Sequence, residues 1–284
     1  MTSIKPTDLI LRDGRVYHLG LHPDQLSDKV ITVGDPDRVE IVSRHLEKRE
    51  PEVRHREFVT HTGWFGGKRI SVISTGMGTD NIEILMTELD ALVNVDLDSL
   101  EPRSELRSLE IVRIGTSGSL LVSIPVDSLV VSAAAVGVDS LMCFYPFRMD
   151  AGDQAFSEAL QDHLSLPFTP AVAYADAGLL MRVGEGMSRS ITLTCPGFYA
   201  PQGRRVRLAP RQGDLLGLYR SFEHGGRVIG NFEMETAGYY TMGRLLGHRM
   251  LSVNVIVANR VQDVFSSRPG EAMDEAIERV LERI

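Results

Sequence analysis

Cysteine is scarce in this chain: only Cys143 and Cys195 occur among 284 residues. Two distant thiols provide neither a disulfide framework nor a metal-binding spacing, so a reducing, cytoplasmic setting is expected. The eight histidines are scattered, and no structural or catalytic zinc is expected. Long apolar runs are missing as well. The stretch up to Gly20 holds no segment apolar enough for a signal peptide, and nothing later approaches a membrane span, so no membrane partner is expected. Positive charge is in deficit, with 30 Lys+Arg against 38 Asp+Glu and a net charge of −8. A nucleic-acid groove requires concentrated cationic charge, so no nucleic-acid partner is expected either. No Gly-x-Gly-x-x-Gly opens a helix after the first strand, which disfavours a dinucleotide-binding enzyme. No repeat or Pro/Gly/Ser linker divides the chain, and residues 1–284 read as a single domain.

What is present is a core-forming alternation of strands and helices. Hydrophobic residues make up 43% of the chain. Lys29–Val33 is a β-branched run ending at Gly34, as a buried strand would. Asp35 reads as a helix N-cap with Pro36 at the first helical position, and the helix is expected to run to about Lys48. His55 to Phe65, a Gly66-Gly67 turn and Lys68 to Ser74 read as a hairpin. A helix is predicted over 79–94. Residues 95–109 are polar and read as a surface insertion. Further strands are predicted at 110–114, 128–136, 168–174, 191–194, 227–232 and 250–257, and helices at 153–164, 177–187, 236–246 and 269–284. The alternation favours a layered α/β fold with a mixed sheet.

Several short segments carry chemistry. Gly34 lets an anion approach the backbone, the helix after it presents free N–H groups, and Arg38 in its first turn can add a bidentate contact. The same segment also reads as an ordinary capped turn. Arg113 lies within an apolar strand, where a charge is costly unless an anion or a structural carboxylate pairs with it. Thr116 follows on a glycine-rich turn. Glu233 and Glu235 stand two apart on an extended segment and can converge on paired hydroxyls, or else form an acidic pair at a helix start. Gln202 and Arg204 offer an amide and a guanidinium suited to the carbonyl and imide edge of a pyrimidine. Phe198 and Tyr199 beside them can stack on a base or anchor the loop. Together these groups suggest an enzyme that cleaves a nucleoside with phosphate.

In order along the chain stand Tyr17-His18-Leu19-Gly20-Leu21, Gly34-Asp35-Pro36-Asp37-Arg38, His55-Arg56-Glu57-Phe58 and Ser74-Thr75-Gly76-Met77-Gly78. They are followed by Arg113-Ile114-Gly115-Thr116-Ser117-Gly118, Phe198-Tyr199-x-x-Gln202-x-Arg204, Glu233-Met234-Glu235 and Asn259-Arg260. This set resembles the uridine phosphorylases of the nucleoside phosphorylase superfamily, over nearly the whole chain. The resemblance implies a three-layer αβα sandwich with a central mixed sheet.

It also implies site roles, position by position. Gly34, Arg38, Arg113 and Thr116 would hold phosphate, with Arg56 reaching in from a neighbouring subunit. Glu233, Met234 and Glu235 would line the ribose together with Thr116, and His18 of the neighbour would meet the 5′-hydroxyl. Gln202 and Arg204 would hold uracil, Phe198 would pack on it, and Arg260 would close that end. The implied assembly is a homo-oligomer, and the implied reaction is reversible phosphorolysis of uridine without a cofactor. Relatives can carry a monovalent cation near the position of Glu57; Asn81 replaces the serine expected there, which leaves potassium open. Relatives acting on purines place an aspartate where Ala258-Asn259-Arg260 stands here. Residues 1–15 and 95–109 fall outside the compact pattern. A hydrolytic nucleosidase, a phosphorylase of another nucleoside such as thymidine, and a non-catalytic nucleoside-binding protein remain the alternatives.

Overall fold

The computed structural model describes residues 4–284. The first three positions of the expected N-terminal extension, residues 1–15, lie outside the described residues. The central sheet is built from β1 (Lys29–Val33), β2 (Phe58–Phe65), β3 (Lys68–Ser74), β4 (Glu110–Ser119), β5 (Leu129–Gly137), β6 (Ser188–Thr194), β7 (Asn231–Glu233) and β8 (Arg249–Asn259). The principal helices are α1 (Pro36–Ser43), α2 (Thr79–Asn94), α3 (Ala151–Leu164), α4 (Thr236–Leu246) and α5 (Pro269–Arg283). The sheet runs β8-β5-β6-β7-β4-β1-β3-β2 and mixes parallel with antiparallel pairs.

Alternation along each strand determines the layers. In β1, Val30 packs with Ile82, Leu85 and Leu89 of α2 and with Tyr239 and Tyr240 of α4. Its neighbours Ile31 and Val33 face the other way, toward Val39 and Val42 of α1 and Ile277 and Val280 of α5. Helices thus cover both faces of a mixed sheet, the αβα arrangement expected.

The sheet also closes on itself. β4 pairs in parallel with β8 over ten positions and, at its far end, antiparallel with β7. The ring β4-β8-β5-β6-β7 is therefore continuous, and α3 with the helix Leu215–Ser221 packs against its outer surface through Phe156, Leu160 and Tyr219. This long-range closure brings the ends of β4, β7 and β8 to one place, where β1 and α1 also meet.

Several expected boundaries are corrected. α1 stops at Ser43 rather than near Lys48, because Arg44 to Leu46 turn back and Lys48–Arg49 joins the sheet edge. The helix expected over 177–187 ends at Arg182; Gly184 lies where a Cβ would be 2.5 Å from the Leu180 carbonyl oxygen. The segment 227–232 divides into Arg227–Val228, half of a small hairpin, and β7. Within 95–109 most side chains are exposed, but Val95 and Leu109 are buried. The Asn94 side chain pins that segment, donating to the Arg107 carbonyl and accepting from its N–H.

Candidate active site

A cavity of about 530 Å³ opens where these strand ends converge. One end is lined by Gly34, Asp35, Arg38, Gly76, Gly115 and Thr116, the other by Phe198, Gln202, Arg204, Ala258 and Phe265. Met234 and Glu235 lie between them. The structure therefore unites the three groups of residues that the sequence suggested for phosphate, sugar and base.

At the first end, Asp35 caps α1 by accepting the Asp37 N–H at 3.0 Å. Arg38 faces the cavity one turn further on. Burial draws its pKa below the ordinary arginine value; Asp35 opposes that shift, and the like charge of Arg113 adds to it. Such an arginine is short of anionic partners, as an anion site requires.

Arg113 is fully engaged at both ends of its guanidinium. Nη2 meets Glu235 at 2.6 Å and Glu233 at 3.2 Å, and Nη1 donates to Asn254 Oδ1 at 2.8 Å and Ser252 Oγ at 3.3 Å. Burial alone would lower its pKa, but Glu233 and Glu235 more than offset that and raise it. Arg113 thus pairs with two carboxylates, as one of its two sequence readings had it, and it also lines the cavity. Gly115 is required here, because a Cβ would lie 2.1 Å from Arg113 Nη1.

The two glutamates are not equivalent. Glu233 accepts from Thr194 Oγ1 at 2.6 Å and from the backbone N–H of Glu235 and Thr236. Its carboxylate thus holds the start of α4 and Arg113 while it also lines the cavity beside Met234 and Glu235. Glu235 accepts only from Gly78 N–H at 2.8 Å and from Arg113. Burial raises its pKa, Arg113 pulls against that, and Glu233 pushes it further up.

At the other end, the turn Ala200–Gln202 holds Gln202 buried beside Arg204. Gly203 ends the turn at φ 71°, with Leu216 so close that a Cβ would lie 3.0 Å away. Arg204 Nη1 donates to Gln202 Oε1 at 2.5 Å and to the Phe198 carbonyl at 2.6 Å, and its guanidinium covers the Phe198 ring at 3.6 Å. Burial, then repulsion from Arg260, lowers its pKa to about 10. Arg260 adjoins this end: its Nη1 reaches the Gln202 carbonyl at 3.4 Å, and its guanidinium lies 5.8 Å from the centre of the cavity-lining Phe232 ring. Asn259 is also structural: its amide binds the Leu121 and Ile124 carbonyls and accepts from Val261 and Gln262.

His18 and Arg56 lie outside this chain's cavity. His18 Nδ1 pairs with Glu88 at 2.6 Å, and Arg56 packs over Tyr17 with φ 54°. Glu57 and Asn81 flank Gly76, which lines the cavity. Among the described residues no group of three His, Cys, Asp or Glu side chains is arranged to hold a metal. Also among them, no helix is long and apolar enough to cross a membrane.

Sequence reasoning gave no individual role to Met77, Ser117, Phe232, Val257 and Phe265, all on the cavity wall. It also missed Asn254 and Ser252, whose signal was present: two polar residues at alternate positions in an otherwise apolar strand.

Comparison with known proteins agrees with this geometry. The phosphorylase superfamily profile matches residues 28–284. The uridine phosphorylase of Thermococcus kodakarensis is 30% identical over 89% of this chain and 80% of its own length. That of Escherichia coli is 28% identical over 87% of each. The crystal structure of a Trypanosoma brucei nucleoside phosphorylase with uridine phosphorylase activity superposes with a TM-score of 0.86, at 28% identity, over 97% of this chain and 98% of that one. The chain belongs to the phosphorylase superfamily, and uridine phosphorylases are its relatives over most of its length.

Proposed function

We propose that the protein catalyses the reversible phosphorolysis of uridine to uracil and α-ribose 1-phosphate. The observation that carries this reading is the single cavity joining the arginine-lined end at Arg38 and Arg113 to the amide–guanidinium end at Gln202 and Arg204. The identity to uridine phosphorylases supports it.

In this reading Gly34, Arg38, Arg113 and Thr116 orient phosphate below the anomeric carbon. A phosphate oxygen forms the new bond to C1′ as the bond to N1 breaks, and the electron pair passes into the uracil ring. Glu235 accepts from the ribose hydroxyls, with Met234 against the sugar. Gln202 and Arg204 stabilise the charge arriving on the base, and Phe198 packs on it. Phosphate is already an anionic nucleophile, so positioning and charge stabilisation carry the reaction. By resemblance to the family, His18 and Arg56 would enter the neighbouring subunit's site, and the active form would be a homo-oligomer. A potassium ion at that interface would sit by Glu57 and Asn81. A cytoplasmic salvage enzyme fits the substrates.

The test is the ultraviolet change when purified protein meets uridine with and without phosphate. Cleavage only with phosphate supports the proposal, and repeating it with thymidine and inosine defines the base. Cleavage without phosphate identifies a nucleosidase. No cleavage of any of these nucleosides, with uridine recovered bound and intact, identifies a binding protein.

A further inference from the structure

A chain of buried polar side chains crosses all five strands of the closed ring. Arg113 Nη1 donates to Asn254 Oδ1 at 2.8 Å, and Asn254 Nδ2 donates to Ser132 Oγ at 3.1 Å. Ser132 Oγ lies 2.6 Å from Thr192 Oγ1, which donates to Asn231 Oδ1 at 2.9 Å. Asn231 Nδ2 then donates to Ser117 Oγ at 3.0 Å. Donation runs one way, from Arg113 in β4 through β8, β5, β6 and β7 and back to Ser117 in β4. Because Thr192 donates onward, Ser132 must donate to Thr192, and its remaining capacity is the acceptor that Asn254 uses. The order fixes both amide orientations, and bonds aligned head to tail in a buried setting reinforce one another.

Apolar residues would fill this interior at lower desolvation cost, so a polar chain here calls for a purpose. Its first link supplies one. Arg113 is drawn by two carboxylates on its Nη2 side, Glu235 and Glu233. Asn254, with Ser252 at 3.3 Å, grips the opposite nitrogen. Without that grip the guanidinium would be free to turn wholly onto the glutamates and away from the cavity floor.

We infer that Asn254 is a positioning residue for phosphate: braced by Ser132, it holds Arg113 facing the cavity against the pull of Glu233 and Glu235. The inference rests on the reading of Arg113 as a phosphate ligand. Asn254 touches no substrate and acts through Arg113 alone.

The test compares wild type with Asn254→Ala and Ser132→Ala. Inorganic phosphate binding is measured by calorimetry, KM and kcat by the uridine assay, and thermal midpoints in parallel. Asn254→Ala should weaken phosphate binding and raise the phosphate KM about tenfold, the size of one hydrogen bond to a charged group. The uridine KM and the kcat at saturating phosphate should stay within about threefold, since only phosphate placement changes. Ser132→Ala should shift phosphate binding in the same direction by less, and it decides the matter alone should Asn254→Ala fail to fold. A lowered thermal midpoint with unchanged phosphate affinity overturns the inference. Wild-type protein that binds phosphate but does not cleave uridine defeats the proposed function only, and the calorimetric comparison still decides the role of Asn254. Wild-type protein that binds no phosphate overturns both.

Discussion

The Arg204 guanidinium lies flat over the Phe198 ring, 3.6 Å from its centre, and is tied to the carbonyl of the same residue. This end of the cavity therefore holds its cation in place, and the aromatic face and the charge form one unit. Lowered to about 10, the Arg204 pKa still leaves the group charged at neutral pH. Arg204→Ala should cut kcat/KM for uridine by roughly 10²–10³, the usual loss for one preorganised donor to developing charge. Arg204→Lys should not restore it, because a point charge reproduces neither the stacking nor the fork. Phosphate affinity should be largely retained, and a calorimetric phosphate titration that shows equal loss would remove Arg204 from the base end.

Gly115 offers a test of the opposite end. A methyl group there would stand 2.1 Å from Arg113 Nη1, too close for the guanidinium to keep its place and its bonds to Asn254 and Glu235. Gly115→Ala should therefore displace Arg113 and lower kcat/KM for phosphate by about 100-fold, as misplacement near the reacting centre does. The fold should survive, because the clash is with one side chain. Circular dichroism and phosphate-dependent kinetics on one sample separate the two effects.

The proposed exchange of His18 and Arg56 between subunits makes a third prediction. Arg56→Ala and Arg204→Ala proteins should each be nearly inactive. Unfolded together and refolded as a mixture, they should regain about a quarter of wild-type activity, since half the two-fold dimers are mixed and one site in each is intact. Mixing that restores nothing would place Arg56 in its own subunit's chemistry or outside the reaction.

Local signals in the sequence located much of this architecture. α2 and α4 run over the predicted residues because each combines a defined start with apolar residues at helical spacing. The cavity walls at Gly34–Arg38 and Phe198–Arg204 were legible because turn chemistry and functional side chains share one short segment. The bonds of Glu233 to Thr194 and Arg113 were not legible, because those partners come from distant strands. The closed ring was invisible for the same reason: the β4–β8 pairing joins segments more than a hundred residues apart. The helix Leu215–Ser221 was missed because it is only seven residues long and carries Gly217, leaving the Asp214 cap as its one clear signal.

At the far end of the sheet from the cavity, Glu110 gathers three cations. Its Oε2 meets Lys29 Nζ at 2.5 Å and Arg182 Nη2 at 3.0 Å, and its Oε1 meets Arg249 Nη1 at 3.1 Å. Burial pushes the Glu110 pKa up, but Lys29 and then Arg182 outweigh it and hold the group below its ordinary 4.5. Glu110→Gln would leave three cations facing one another. Removing one partner of a buried pair costs about 3–5 kcal/mol, and the partial exposure of these cations reduces that to about 2 kcal/mol. The sign of the pH dependence follows from the lowered pKa. The stabilisation is fully present above 4.5 and is lost as pH falls through the lower folded value. Urea denaturation should therefore show wild type well ahead of Glu110→Gln at pH 7, with the gap narrowing below about pH 4.5. A gap that stays constant down to pH 3 would mean that packing, and not charge, is what Glu110 contributes.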